Sequence, residues 1–394
     1  MSRKEKLKRF AKTVQEHYGT KVVELGMTTV EMPRLASGSL GLDIALGGGL
    51  PVGRLTMLYG AKSSGKTTTA YRIAALAQGL CANCLRQVDY TLEGEGDDRE
   101  QVGHCDCHTS GLFDPKKYPD ERLTEFKERI KGYAANSYEP FRVAVIDLEG
   151  SYDVKWARNL GLDESLILYA RPDTAEEAID LYDSLMRTGA VDLFILDSIA
   201  AMTPSKEVEE STEKWQQGLQ ARLVNKFCRK VQATANSIAR EYGRAPTQIW
   251  INQIRMKIGV MFGNPETVPG GLGQGFATSV EVKLWANDFE KETFTVSAKE
   301  KMDTATSVRI NFRTEKNKTA PPKRTGSYVM DLENGGIDDS KLIYSLAERF
   351  GEIEKVGSKW RLGCHEHRTK REMMDAMMTT EHTRLRDLIL KKSA

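Results

Sequence analysis

The octapeptide Gly60–Thr67 reads GAKSSGKT and fits the pattern G-x-x-x-x-G-K-[ST]; the apolar run Arg54–Tyr59 precedes it and the helix-like stretch Thr68–Ala77 follows. Strand, glycine-rich turn and helix in that order make a P-loop. The two glycines let the backbone turn tightly, so that successive N–H groups point at a phosphate, and the start of the next helix adds its partial positive charge. The pattern gives Gly60, Ala61, Lys62, Ser63, Ser64, Gly65, Lys66, Thr67 and Thr68 as the nucleotide cradle. Lys66 is placed to reach the β- and γ-phosphates of ATP, and the Thr67 hydroxyl to ligate Mg²⁺.

On both sides of the loop, short apolar runs alternate with helical periodicity. Arg142–Asp147 (RVAVID), Asp192–Asp197 (DLFILD) and Gln248–Asn252 (QIWIN) suit strands buried on both faces of a parallel sheet, while Thr174–Arg187 and Leu219–Glu241 carry a helical period. The expected fold is therefore α/β, a doubly wound, mostly parallel sheet with ligands beyond the carboxyl ends of its strands. A nucleotide hydrolase also needs an acid near Mg²⁺ and a base for the attacking water. Asp197, ending one apolar run, fits the first role, and Glu149, just past another, fits the second.

The flanks are organised differently. Residues 3–18 have the pattern of an amphipathic helix and Val22–Leu25 that of a short strand, either an arm that docks on a neighbouring subunit or an ordinary surface element. Arg255–Gly275 is polar, glycine-rich and without a clear period, and Val280–Trp285 and Ser307–Phe312 alternate like antiparallel strands. The chain divides into an N-terminal helix and strand (1–33), an ATPase core (34–330) interrupted by a cysteine-rich insertion (81–140), and a small α+β C-terminal domain (331–394).

With 40% hydrophobic and 28% charged residues, the composition excludes wholesale disorder. A net charge of +2 does not by itself mark a nucleic-acid binder, but the distribution is uneven: 81–140 holds eight basic against thirteen acidic residues. The N-terminus lacks the apolar core of a signal peptide and no long apolar run follows, so a cytoplasmic protein without membrane association is expected. Four of the six cysteines fall between Cys81 and Cys107, which in a reducing compartment favours metal ligation over disulfides.

Several segments carry a specific resemblance. Ser37–Arg54 (SGSLGLDIALGGGLPVGR), the P-loop, Val145–Asp153 (VIDLEGSYD), Asp197–Pro204 (DSIAAMTP) and above all Ile251–Thr267 (INQIRMKIGVMFGNPET) closely resemble the bacterial RecA family of DNA strand-exchange recombinases, in register from about Ala36 to Lys323 apart from the insertion. The resemblance implies a RecA-like core that hydrolyses ATP with Mg²⁺, assembles into a helical filament on single-stranded DNA and pairs it with homologous double-stranded DNA. It implies Glu149 as the residue that activates water, Asp197 and Ser198 as the Walker B end, and Asp153 and Trp156 as contacts to adenine. Gln253 matches the glutamine that senses the γ-phosphate, and Lys316 and Lys318 match lysines that reach the γ-phosphate of the adjacent protomer.

Two loops are implied to hold DNA, Ser205–Gly218 and Ile254–Gly271. In the second, Arg255 and Lys257 suit phosphates, Met256 and Ile258 offer apolar contacts to bases, and Gly270 and Gly271 let the backbone approach. Gly218, Arg222 and Arg229 on the helix after the first loop complete the candidate DNA contacts. That first loop departs from the family pattern at Trp215 and Gln217.

The insertion has no counterpart in the family. It carries C-A-N-C (Cys81, Cys84) and H-C-D-C-H (His104, Cys105, Asp106, Cys107, His108), a spacing that suits a tetrahedral Zn²⁺ site of four thiolates, or of three and either His104 or His108. Reduced thiols without metal are the other reading. The stretch Asp89–Glu100 holds six carboxylates and one arginine, which opposes close phosphate contact and favours an electrostatic gate or a site for a protein partner. Two rival functions share parts of the chain: a RecA-like ring motor or helicase, and a recombination mediator without catalysis. The Ile251–Thr267 segment favours the recombinase over the first, and Lys66, Glu149 and Lys316 over the second.

Overall fold

A computed structural model describes residues 2–18, 32–93, 100–105, 138–209, 218–256, 265–297 and 300–393. The strands in chain order are β1 (Arg34–Leu35), β2 (Leu50–Pro51), β3 (Leu55–Gly60), β4 (Asp89–Glu93), β5 (Glu100–His104), β6 (Val143–Asp147), β7 (Ile167–Ala170), β8 (Leu193–Asp197) and β9 (Thr247–Gln253). They continue with β10 (Arg255–Met256), β11 (Glu266–Thr267), β12 (Val280–Ser297), β13 (Glu300–Asn317), β14 (Thr325–Asp331), β15 (Ile337–Asp338), β16 (Ile353–Val356), β17 (Lys359–Leu362) and β18 (His365–His367). The first three helices are α1 (Arg3–Tyr18), α2 (Leu40–Leu46) and α3 (Lys66–Gln78).

β6 and β8 are buried at every position, as their unbroken apolar runs require. They lie inside a nine-stranded sheet of order β15-β14-β13-β12-β3-β9-β8-β6-β7. The six strands from β12 to β7 are mutually parallel, and β13, β14 and β15 extend the sheet antiparallel. Alternate side chains serve two cores. Val143, Val145, Leu193, Ile195, Ile249 and Ile251 pack with α3 on one face, whereas Ala144, Ile146, Phe194, Leu196 and Trp250 pack under the helices Ala175–Arg187 and Leu219–Tyr242 on the other. Trp250 stacks on Phe227 at 4.7 Å and donates its indole N–H to Tyr182, which itself donates to Gln248.

The segments read as antiparallel strands pair as expected, with Val282 opposite Thr314 and Leu284 opposite Phe312. Each belongs to a strand of 18 residues, longer than its apolar alternation, because the hairpin runs past the sheet it leaves. The chain beyond Asp339 forms a three-stranded antiparallel sheet with three helices around its own core of Ile343, Ile353, Leu362, Met373, Leu385 and Ile389. Arg386 fastens that core to the rest through ion pairs with buried Asp43 on α2 and with Asp339. α1 bears out the helix read at residues 3–18, with Leu7 and Phe10 exposed; Val22–Leu25 lies outside the described residues. No described helix is long and apolar enough to cross a membrane.

Candidate active site

β3 ends at Gly60, where a Cβ would stand 2.1 Å from the Leu284 carbonyl oxygen, so only glycine lets the strand turn beside its neighbour. Gly65 closes the turn at φ 78°, and a Cβ there would meet Ile310 Cδ1 at 2.3 Å. α3 then starts at Lys66, with its first N–H groups at the loop. Lys66 is buried and folds back over the loop it serves, donating to the Ala61 carbonyl at 2.6 Å and to Ser64 Oγ at 3.2 Å. Burial lowers its pKa, and the negative charges of Asp197 and Glu149 work against that shift.

The strand order β3-β9-β8-β6 sets four carboxyl ends side by side, and the functional side chains meet there. Thr67 Oγ1 donates to Asp197 Oδ2 at 2.7 Å. Burial pushes the Asp197 carboxyl up to about 6; the Thr67 hydrogen bond and Lys66 oppose the rise, while Glu149 and Asp147 add to it. Next to it, Ser198 Oγ and Gln253 Nε2 both donate to Glu149 Oε1, the latter at 2.7 Å. Glu149 is exposed. The sequence places Lys66, Thr67, Glu149, Asp197, Ser198 and Gln253 on separate segments; the sheet joins them.

Asp147 is a site residue that the sequence reading missed. Fully buried at the end of β6, it accepts the backbone N–H groups of Glu149, Gly150 and Tyr152 at 3.0, 2.8 and 2.9 Å and the Tyr169 hydroxyl at 3.2 Å. It thereby fixes the turn that carries Glu149. The only signal was an acid ending a buried run two residues earlier. Tyr152 packs between Tyr71 and Tyr169, with ring centroids at 5.6 and 4.9 Å. Asp153 caps the helix Val154–Asn159 by accepting the Trp156 N–H at 2.9 Å, and Trp156 lies half-buried against the main core beside Leu160 and Gly335.

Lys316 and Lys318 do not join this cluster in their own chain. Lys316 stands opposite Glu281, which is level with Met57 near the far end of β3, and the Lys318 N–H bonds the Ser279 carbonyl still further from the loop. Their ammonium groups donate to the carbonyls of Gly275 and Phe276.

The stretch after Gln253, aperiodic in sequence, begins with a short ladder: Arg255 pairs with Thr267 and Met256 with Glu266. Lys283 on β12 clamps it through an ion pair with Glu266 at 2.5 Å. Arg255 and Met256 are exposed, whereas Lys257 and Ile258 lie outside the described residues. Gly270 and Gly271 adopt φ 97° and 76° and press against Ile199, Val224 and Ala221, so the fold itself calls for glycine there. Gly218 caps the helix Leu219–Tyr242 in a left-handed conformation, and Arg222, Lys226 and Arg229 stand exposed along that helix at i, i+4 and i+7. Lys226 was not singled out by sequence reasoning. Trp215 and Gln217 lie outside the described residues.

At the other end of α3, Cys81, Cys84 and Cys105 gather with their sulfurs all within 4.8 Å of one another. Cys107, His108 and the side chain of His104 lie outside what is described. Cys364, in the C-terminal stretch Cys364–His367, is exposed.

A glycine-rich loop leading into a helix, an aspartate bonded to the loop's threonine and a carboxylate held by a glutamine, all at the ends of adjacent parallel strands, define a P-loop ATPase of the α/β class. The family model of the RecA N-terminal domain matches residues 5–92 and 134–337 and skips most of the insertion. The chain is 35% identical to Protein RecA of Mannheimia haemolytica over 349 residues, 88% of this chain and 74% of that one. It is 32% identical to Protein RecA of Cereibacter sphaeroides over 92% of this chain and 84% of that one, and 32% identical to Protein RecA of Thermus aquaticus over 92% and 86%. The chain belongs to the RecA family, the ATP-dependent recombinases of DNA recombination and repair.

Proposed function

We propose that this protein assembles as a helical filament on single-stranded DNA in the cytoplasm, aligns it with homologous duplex and exchanges strands, with ATP hydrolysis driving turnover of the filament. The observation that carries this reading is the convergence of Lys66, Thr67, Asp197, Glu149 and Gln253 at one end of the sheet, with Glu149 held by Gln253 and Ser198. The chemistry of this donor set fits ATP with Mg²⁺: a cationic amine inside a ring of loop N–H groups, and a hydroxyl paired with a carboxylate. Thr67 and Asp197 would hold the Mg²⁺, which neutralises phosphate charge when bound.

The chain's own residues divide the remaining work. Lys66 leaves the Ala61 carbonyl to meet the phosphates; Glu149 orients and deprotonates the attacking water. Gln253 ends β9, two residues before the β10–β11 ladder opens the second loop. Exchange of its partner from Glu149 to the γ-phosphate shifts that ladder, so nucleotide state reaches the DNA loop through one side chain. Asp153 and Trp156 contact adenine. Lys316 and Lys318, remote from their own P-loop, complete the site of the next protomer, which makes hydrolysis depend on assembly.

Arg255, Met256, Lys257, Ile258, Gly270 and Gly271 meet single-stranded DNA from one loop, and Gly218, Arg222 and Arg229 from the helix beside it, mainly through phosphates. Zn²⁺ at the cysteine cluster completes the set of bound groups, and the acidic insertion offers a surface to a protein partner. Electron microscopy with single-stranded DNA and a slowly hydrolysed ATP analogue tests the whole reading, together with DNA-stimulated ATPase. Continuous helical filaments are expected; closed rings, or no stimulation by DNA at saturating ATP, would sink it.

A further inference from the structure

Building on the reading of the cysteine cluster as a Zn²⁺ site, we infer that Cys81, Cys84 and Cys105 use the metal as a clasp. It closes the insertion at its neck, against the C-terminal end of α3, and works independently of the ATP site at the other end of the same helix.

Three features favour the metal. Cys81 and Cys105 are buried, and Cys84 Sγ lies 3.3 Å from Cys105 Sγ, with all three sulfurs within 4.8 Å. Tetrahedral thiolates around zinc stand about 3.8 Å apart, given bonds of about 2.3 Å. The turn between the first two cysteines is already wound for ligation: Leu85 N–H bonds the Cys81 carbonyl at 2.8 Å, Cys81 N–H bonds the Arg86 carbonyl at 2.9 Å, and Leu85 takes φ 60°. Finally, the local apolar cluster comprises Cys81, Val88 and Cys105 with Cys84 and Tyr138 packed on it. Among the described residues the cluster adds only one valine and one tyrosine to the cysteines, whereas a bound metal supplies folding free energy directly.

The clasp function rests on where the cluster sits. Cys81 bridges antiparallel to Pro140, and Ala82 N–H bonds the Glu139 carbonyl at 2.7 Å, so the chain enters and leaves the insertion side by side. Cys105 follows directly on the open end of the β4–β5 hairpin, where Asp89 and His104 are paired. Arg244 joins this neck to the sheet, donating to the Ala82 carbonyl at 2.6 Å and to Asp192 Oδ1 at 3.0 Å, while Asp192 Oδ2 accepts the Arg142 N–H at 3.0 Å. Arg244 is thus a positioning residue between clasp and core. The 13-residue α3 separates the neck from Lys66 by about 20 Å.

The test uses the full-length chain. Metal analysis should give one zinc per chain, replacement by Co²⁺ should give the thiolate-to-metal absorption of a tetrahedral site, and Cys105→Ser should lose both. A zinc-selective chelator, in buffer that keeps Mg²⁺ saturating, should raise the rate of limited proteolysis within residues 81–140 more than tenfold and change the DNA-stimulated ATPase less than twofold. Arg244→Ala should keep the zinc and the ATPase yet open the neck to protease. Absence of stoichiometric metal, with no thiolate absorption on adding Co²⁺, overturns the zinc reading itself. Zinc that is present, but whose removal abolishes ATPase or leaves proteolysis unchanged, overturns the clasp and leaves the zinc reading standing.

Discussion

The two ends of α3 hold two clusters that are built by opposite means. At Lys66 the partners come from β3, β6, β8 and β9, far apart in sequence, and the sheet order brings them together. At Cys81 two of the three sulfurs come from one turn, and the third from the end of a hairpin 21 residues beyond Cys84. The whole core supports the first cluster; around the second the described apolar neighbours are Val88 and Tyr138, to which a bound metal would add folding free energy. Chemistry that must change state at every turnover sits where the fold is deepest, and a clasp sits where the fold is thinnest. The ends are therefore separable, and a substitution at either one should move that end while leaving the other in place.

The largest effect belongs to Glu149→Gln. The side chain keeps its shape and its acceptor oxygen for Ser198 and Gln253, but it no longer takes a proton. ATP and DNA binding should persist while turnover falls by about 100- to 10,000-fold, with long-lived filaments and unchanged zinc content. ATPase assays beside metal analysis measure both ends at once, and normal turnover removes Glu149 from its role.

Asp147→Ala comes next and tests support rather than chemistry. Three backbone N–H groups and the Tyr169 hydroxyl lose their acceptor, so the Glu149 turn loosens although Glu149 itself is intact. A base displaced by about 1 Å costs up to about 100-fold in kcat. KM for ATP should change little, since the P-loop keeps its contacts. A rise in KM with kcat preserved would show that Asp147 shapes the nucleotide pocket instead.

Legibility in the sequence divides along the same line. GAKSSGKT, the two buried acid-ended runs and the INQ segment gave the P-loop, the parallel sheet and the family, because those features are local patterns of glycine, apolar residues and charge. Asp147 was not legible as a site residue, since an acid ending a strand looks the same whether it caps a turn or meets a ligand; only its three accepted N–H groups tell the two apart. The β10–β11 ladder escaped because its pairing closes over a stretch of chain and is clamped by Lys283, a residue on a different strand. The cysteine spacing did announce its cluster, but Arg244, far along the chain, carries no local sign that it holds the neck.

Asp197→Asn probes the cost of the charge at the deep end. Burial raises the Asp197 pKa from 3.8 to about 6, so the folded state holds this proton more tightly than the unfolded chain. The stability that Asp197 lends is then greatest at low pH and falls as pH rises from about 4 through about 6, with no further loss above. Asparagine keeps an oxygen for Thr67 and removes the buried charge. The variant should lose Mg²⁺-dependent ATP binding yet match wild type below about pH 4 and exceed it in stability by about 1–3 kcal/mol above about pH 6.5. Thermal melts across that range decide it, and parallel curves for the two proteins refute the buried-charge account.

The smallest functional effect is expected at the last residue of α3, where the helix is fastened to the core. Gln78 is buried and makes a two-way contact with one backbone residue: its Nε2 donates to the Asp163 carbonyl at 3.0 Å and its Oε1 accepts the Asp163 N–H at 2.9 Å. Gln78→Ala strands both groups and should cost about 2–3 kcal/mol of stability by denaturant melting. Because this contact belongs to neither cluster, kcat for ATP and zinc content should both stay within twofold of wild type. Suppose instead that the substitution lowers kcat and releases zinc together. The helix would then be acting as a rod that transmits force from one end to the other, and the separation of the deep site from the thin one would be wrong at its centre.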